Sequence, residues 1–250
     1  MEVHHHPDLH HKKKKFSEYF LEFLMIFLAV SMGFIAENLR EGRSEHAKEK
    51  DYMIALVRDL QEDTASLKVN IKNNQWRISG MDTLLYLSGK DISEPANRQL
   101  FYKCCRNYML SDDLFKNRDV TLSQLKSTGS YRLIQKDSAA YKIAAYDQSF
   151  STIYDQGKAY EKSLFDAQDV LFELIDMNVF TNRDYFHRTV PTGKELPPVL
   201  NDPQKQKIYF NRVLFVREII DNYSNNFLRQ ELDAATDLIR FLQKAYRLDK

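Results

Sequence analysis

The chain has 250 residues, with 36 lysines and arginines against 35 aspartates and glutamates, so its formal net charge at pH 7 is only +1. This balance gives no reason to expect a nucleic-acid partner, and two cysteines cannot build a disulfide scaffold. Only 7 glycines and 6 prolines are present, which argues against a turn-rich all-β fold and favours long helices.

Residues 1–15 form a histidine- and lysine-rich tail. Its histidines are His4, His5, His6, His10 and His11, and Lys12–Lys15 follow. Clustered neutral imidazoles can bind Zn²⁺, Ni²⁺ or Cu²⁺, so these residues are weak metal-ligand candidates. The tail is short and contains only two carboxylates, so we expect no preformed metal site and no cofactor. The plainer interpretation is a polar, pH-sensitive tail that touches anionic lipid headgroups.

An apolar run from Tyr19 to Ala36 follows, interrupted only by Glu22 and Ser31. As a helix it would extend roughly 27 Å, close to the ~30 Å hydrocarbon thickness of a bilayer. We therefore predict a transmembrane helix over residues 16–40. The preceding lysines favour an N-terminus retained in the cytoplasm, which places residues 41–250 on the far side of the membrane.

Two alternatives to a span remain. The first is a cleaved signal peptide, for which Ala29-Val30-Ser31 resembles a cleavage site. The apolar run continues beyond that point to Ala36, and Glu22 would lie inside the apolar region, so cleavage is disfavoured. The second alternative is an amphipathic helix that does not cross the bilayer.

One face of the predicted span is polar and small. Glu22, Ala29, Gly33 and Ala36 fall within one narrow sector at ~100° per residue. Small residues allow close helix approach, and polar residues within a span usually face protein. Our hypothesis is that this face packs on another transmembrane helix. The alternative is that Glu22 reaches toward the cytoplasmic lysines and the small residues carry no meaning.

Three long helices are predicted, at about residues 44–87, 137–178 and 204–247, from apolar residues that alternate steps of three and four. The second stripe consists of Ile143, Tyr146, Phe150, Ile153, Gly157, Tyr160, Leu164, Ala167, Leu171 and Leu174. The exposed-or-buried state of Tyr154 is predicted as core. Thr64 and Asn74 interrupt the first stripe, where they either fix helix register or face water. The third stripe drifts by one residue between Phe227 and Leu228.

Shorter helices are expected near residues 95–111 and 119–127, and Thr181–Pro203 is predicted to be a long loop because it holds four prolines. Asp137 is a plausible N-cap of the second long helix. The two short helices together can fill one position beside the three long ones. We therefore expect an all-α fold in which residues 41–250 form an elongated, antiparallel, four-helix-like bundle.

The segments Phe20–Leu24, Ala36–Glu41, Tyr52–Leu60 and Leu125–Ile134 together carry a resemblance. They are similar to uncharacterised single-span envelope proteins of Bacteroidota. The resemblance covers the span, the first long helix and the Ser-Thr-Gly turn at residues 127–129. It implies an inner-membrane protein of a Gram-negative envelope, with a periplasmic C-terminal domain and an unknown function, and it supplies no catalytic residues.

Candidate chemistry is sparse. Cys104 and Cys105 are adjacent, with Cα atoms about 3.8 Å apart, too close for a relaxed disulfide; we expect one in the core and the other as a bystander, the alternative being an intermolecular bridge or a reactive thiol. The carboxylates Asp59/Glu62/Asp63 and Asp112/Asp113 are expected to be solvated or to cap helices. The sequence contains no Gly-x-Ser-x-Gly, phosphate loop or dinucleotide fingerprint.

These patterns favour a non-enzymatic, membrane-anchored protein that acts as a scaffold or accessory subunit, assembling with itself or with an envelope partner. The alternative is a periplasmic sensor or ligand-binding bundle. With about 15 residues on the cytoplasmic side, such a sensor would need to signal through a partner transmembrane helix. An enzyme with an unrecognised site is the third class.

Overall fold

A computed structural model describes residues 15–180 and 196–248, and these residues contain helices and no strand. The prediction of an all-α fold is therefore confirmed. The chain divides into two compact units, one ending at Lys50 and the other beginning at Asp51. The packing described below lies within the second unit.

Six α-helices and five short 3₁₀ or π segments make up the described chain. In chain order they are α1 (Phe16–Tyr86), a 3₁₀ turn (Leu87–Gly89), α2 (Pro95–Cys104), a π segment (Cys105–Met109), α3 (Val120–Ser127), a 3₁₀ turn (Ser130–Leu133), α4 (Asp137–Leu174), a 3₁₀ turn (Met177–Phe180), α5 (Pro203–Asn222), a π segment (Tyr223–Leu228) and α6 (Arg229–Tyr246). The first long helix is continuous with the apolar run, because α1 continues through Gly42.

Helix starts follow local chemistry in one case and not in another. Asp202 caps α5, since its Oδ1 accepts hydrogen bonds from the backbone N–H groups of Gln204 and Lys205, each at 3.0 Å, and Pro203 occupies the first helical position. The prediction that Asp137 caps α4 is wrong. Asp137 is the first helical residue, and the cap residue, Lys136, makes no side-chain hydrogen bond there.

The apolar stripe predicted for α4 forms its buried face. Its buried members are Ile143, Tyr146, Ile153, Gly157, Tyr160, Leu164, Ala167, Leu171 and Leu174, and Phe150 is half-buried. Tyr154 was predicted in the core, but its side chain is 66 % exposed. It lies between the two apolar steps of the stripe, on the outer side of the helix.

A π segment accounts for the drift of the third stripe. The segment Tyr223–Leu228 separates α5 from α6, and a π turn adds one residue to a helical turn. Ile220 and Tyr223 are buried before it, and Leu228 and Ala235 are buried after it. The extra residue therefore keeps the apolar side on the core while the sequence pattern slips by one.

Apolar side chains form three clusters along the helices. The largest joins the Ile78–Leu87 end of α1 to α2, to α4 after Tyr160 and to α5. A second joins α1 between Met53 and Leu60 to α3, to the start of α4 and to α6. A small third cluster, which includes Leu67, lies between them in chain order. From Asp51 onward α1 thus runs in the same direction as α4, and α5 with α6 runs the opposite way.

Gly80 provides a flat place on α1 for an aromatic ring. A Cβ atom at this position would lie 2.2 Å from Cε2 of Tyr108, a residue of the first π segment. The Tyr108 ring packs edge-on against Trp76 with 4.6 Å between ring centroids. The absence of a side chain at Gly80 therefore allows the π segment to pack directly on the helix.

We predict that Gly80→Ala destabilises the second unit by about 1–3 kcal/mol, although alanine improves helix propensity by ~1 kcal/mol. Thermal unfolding of the full chain in detergent would measure this. Gly89→Ala is the matched control, because no atom lies within 4 Å of its Cβ position. In a Tyr108→Ala background the cost of Gly80→Ala should disappear; an equal cost there would contradict the proposed clash.

Candidate functional site

The predicted packing face of the span lies on an uncovered surface of this chain. Helix α1 contains an 18-residue window with mean hydropathy 2.1, of which none is buried within the described residues. Ala29, Gly33 and Ala36 are exposed, and no atom lies within 4 Å of a Cβ position on Gly33. Their packing against another helix stays a prediction.

The histidine candidates for metal binding lie outside the described residues, as does the 181–195 part of the predicted loop. Within residues 15–180 and 196–248, no three histidine, cysteine, aspartate or glutamate side chains converge closely enough to hold a metal ion.

Both cysteines are buried, so the prediction of one bystander is wrong. Cys104 and Cys105 are free thiols with 2 % and 0 % exposure, and Sγ of Cys105 lies 3.3 Å from Oη of Tyr209. Burial raises the pKa of Cys104 to about 11 and also raises that of Cys105. Protonated, enclosed thiols are poor nucleophiles, so this pair is part of the core.

The carboxylates Asp59 and Asp63 are also buried, contrary to the prediction of solvated acids. Asp63 Oδ1 accepts the backbone N–H of Arg118 at 2.7 Å, and Asp59 Oδ2 accepts the backbone N–H of Thr121 at 2.9 Å. Thr121 lies in the first turn of α3, so the capping part of the prediction holds for Asp59. This cap comes from a distant helix rather than from a neighbouring residue.

These two bonds belong to a polar ladder that attaches a non-helical segment, Ser111–Asp119, to α1. Further along the same helix, Arg77 donates to the carbonyl and the hydroxyl of Ser111, and Asn73 donates to Asp113 at 2.7 Å. Between Asp59 and Arg77 the helix rises about 27 Å at ~1.5 Å per residue. The segment covers this distance in about ten residues, so its backbone is nearly extended, against a limit of ~3.3–3.6 Å per residue.

Three clefts border this segment. Their volumes are about 400 Å³ beside Glu62 and Asp63, about 310 Å³ beside Gly157 and Tyr223, and about 370 Å³ beside Trp76 and Arg77. Residues between 112 and 120 line every one of them. Irregular segments held by a rigid scaffold are where binding residues concentrate, so the ladder and its clefts are the candidate functional site.

Sequence patterning missed the ladder because it assigned polar residues to the surface. The buried side of α1 includes a third stripe at seven-residue intervals, beside the two that were predicted: Leu56, Asp63, Asn70, Arg77 and Leu84. Its ends are apolar and its middle is polar. The exact seven-residue spacing was the available signal, and it becomes visible only when polar residues are allowed at core positions.

Several polar atoms near the middle of α1 have no hydrogen-bond partner within the part of the chain that the structure describes. They include Oδ1 of Asn70, both amide atoms of Asn74 and Nε of Arg77. Asn74 is fully buried, which resolves the alternatives left open for it in favour of the core; Thr64 is half-buried and bonds the carbonyl of Gln61 at 2.8 Å. A buried amide without partners costs about 1–3 kcal/mol.

A second acidic group joins the ladder from α6. Glu231 is 3 % exposed. Burial raises its pKa to about 7, with a smaller contribution from the negative charge of Asp63. Burial likewise raises the pKa of Asp63 to about 6, although the Arg118 and Tyr146 hydrogen bonds oppose this shift. Burial and the two carboxylates also raise the pKa of Tyr146, which therefore keeps its proton.

Comparison of the chain with protein-family models, with curated proteins and with solved structures found no match.

We predict that Asn74→Leu raises the free energy of unfolding by about 1 kcal/mol, because it removes a buried amide that has no partner. In a chain of this length this corresponds to a rise in Tm of about 2–4 °C, measured on the full chain in detergent. Gln75→Leu, at an exposed position on the same helix, should change stability by less than about 0.5 kcal/mol. A fall in Tm for Asn74→Leu would contradict the prediction.

Proposed function

We propose that this protein is a non-enzymatic, membrane-anchored helical protein that serves as a scaffold or accessory subunit in a Gram-negative cell envelope. In this proposal residues 16–40 cross the inner membrane with the N-terminus in the cytoplasm. Residues 41–250 form an antiparallel, four-helix-like bundle in the periplasm. The protein assembles with another copy or with an envelope partner.

One observation carries the anchoring part of the proposal. The apolar window of α1 has mean hydropathy 2.1 and no buried residue, and large side chains such as Phe23, Ile26 and Phe34 are more than half exposed. Exposing an apolar surface of this size to water is unfavourable by about 25 cal/mol per Å². Hydrocarbon of a bilayer is the solvent that such a helix matches in length and polarity.

The bundle arrangement is supported by the order of contacts along the chain. The stretch from Leu87 to Ile134 contributes to the cluster at the Ile78–Leu87 end of α1 first and to the cluster at Met53–Leu60 last. It therefore returns along α1 before α4 begins. Up-down-up-down helix order of this kind is common in four-helix bundles.

A second candidate function is ligand sensing, which the three clefts along Ser111–Asp119 favour. The cleft beside Gly157 combines an apolar floor that includes Ile153 and Tyr223 with charged rim residues such as Lys158, as small-molecule sites often do. Saturable stabilisation of the full chain by a small molecule, lost in Gly157→Leu, would favour sensing. Robust assembly without such stabilisation would favour the scaffold.

We predict that replacing Phe27 and Leu28 together by arginine releases the protein from membranes, since each charge at a span centre costs ~2.5–3.5 kcal/mol. Alkaline extraction of native membranes, followed by immunoblotting, would measure the retained fraction. Ile54→Arg is the matched control, because Ile54 is half exposed on the same helix outside the predicted span. Intact mass of the wild type separates a retained span from cleavage near Ser31, and a mature protein lacking residues 16–31 would refute the anchor.

We predict that Gly33→Leu lowers the yield of crosslinked partner or self-dimer several-fold in native membranes, because a larger side chain prevents close helix approach. Phe34→Leu, outside the small-residue sector, is the control. Mass spectrometry of crosslinked material then distinguishes a partner from a second copy. Equal crosslinking in both variants would remove the Glu22/Ala29/Gly33/Ala36 face from the proposal while leaving the anchor intact.

A further inference from the structure

The attachment of Ser111–Asp119 to α1 depends on two buried carboxylates. Asp63 holds the backbone N–H of Arg118, and Asp59 holds that of Thr121. Tyr146, on α4, donates its hydroxyl proton to Asp63 Oδ2 at 3.3 Å. Three separate parts of the chain, namely α1, the segment with the start of α3, and α4, thus meet at one carboxylate group.

Glu231 brings a further carboxylate to the same place from α6. Its Oε1 is buried and has no hydrogen-bond partner within the described residues, and its charge acts on Tyr146 together with that of Asp63. Ser149 hydrogen-bonds Glu231, but its hydroxyl also lies 2.5 Å from the carbonyl oxygen of Tyr146. Tyr146 has one hydroxyl proton, and the geometry gives it to Asp63.

No cation in the described chain neutralises these acids. The charged groups on the surrounding elements are Arg58, Asp59 and Glu62 on α1, Lys116, Arg118 and Asp119 in the segment, Lys126 on α3, and Asp147 on α4. Their cations pair elsewhere: Arg118 lies 2.9 Å and Arg58 3.6 Å from Glu62, and Lys126 lies 2.6 Å from Asp147. Within the described residues, none of Asp59, Asp63 and Glu231 has a basic side chain within 4.0 Å, and no metal-binding group forms.

A buried carboxylate without a cation is neutralised by a proton. We propose that Glu231 and Asp63, with Tyr146 beside both, form a proton-operated latch that holds the segment Ser111–Asp119 against α1. When Glu231 is protonated, one negative charge at most remains and the segment stays attached. When both acids are ionised, their repulsion and desolvation weaken the attachment, and the segment opens to solvent more often. This inference is independent of the proposed anchoring function.

The direction of the pH dependence follows from the two raised pKa values. Folding raises the pKa of Glu231 from 4.5 to about 7 and that of Asp63 from 3.8 to about 6. Between pH ~4 and ~7 the closed state therefore binds more protons than the open one, so its stability falls as pH rises through this interval and is constant above it. The latch is strongest in acid, the reverse of the usual dependence for a carboxylate held by hydrogen bonds.

Hydrogen–deuterium exchange of the full chain in lipid nanodiscs, from pH 5 to pH 8, tests the latch. After correction for the intrinsic exchange rate, we expect the protection factor of peptides covering residues 111–121 to fall about tenfold over this range, since one pKa unit corresponds to a factor of ten. Glu231→Gln should reduce this fall to less than about threefold. Asp233→Asn, at an exposed position on the same helix, should leave it unchanged.

Tyr146→Phe provides a second test with a different signature. It removes the hydroxyl that stabilises ionised Asp63, so the pH midpoint of the change in protection should rise. Fluorescence of Trp76, the single tryptophan, follows the same transition because this residue lines a cleft beside the segment. Protection that is independent of pH in the wild type, or a pH dependence that is identical in Glu231→Gln, would overturn the proposal.

Discussion

The polar stripe on the buried side of α1 is the constraint on which the rest of the second unit depends. Asp63, Asn70 and Arg77 face inward at seven-residue intervals, between Leu56 and Leu84. An apolar helix packed against them would leave buried polar groups unpaired, at a cost of about 1–3 kcal/mol each. A nearly extended segment has free backbone N–H and C=O groups, and it meets this stripe where a helix would not. This explains why α2 and α3 are separated by Ser111–Asp119 rather than fused into one long helix.

The same constraint explains which parts of the fold follow from sequence. The stripe on α4 was predictable because its buried members are almost all apolar, and the hydrophobic effect alone places them inward. The slip at Phe227–Leu228 was visible as a pattern, but its cause, a π segment, requires the backbone. The ladder was not predictable by these rules, because periodicity counts apolar residues and treats Asp59, Asp63 and Arg77 as surface. Their burial depends on Ser111, Arg118 and Thr121, which are distant in sequence.

Helix α1 meets two kinds of surroundings with one backbone conformation. In its first part, side chains such as Phe23 and Phe34 are apolar and exposed, so their environment has to be supplied by something other than this chain. Beyond Asp51 the inward face carries apolar, polar and charged residues that this chain itself covers. The membrane assignment and the ladder therefore rest on separate observations. An error in one leaves the other standing.

Packing alone does not account for a glutamate at position 231. Leucine has a similar volume and would remove a buried oxygen that lacks a partner, and replacing buried charged groups by apolar ones is often neutral or stabilising. The same holds for Tyr146, where phenylalanine would keep the ring contact with Phe150, whose centroid is 4.9 Å away. A glutamate, a tyrosine and an aspartate together cost stability that apolar residues would not. Coupling the closure of Ser111–Asp119 to proton concentration is a property that only this acidic arrangement supplies, and it provides a physical reason for the cost.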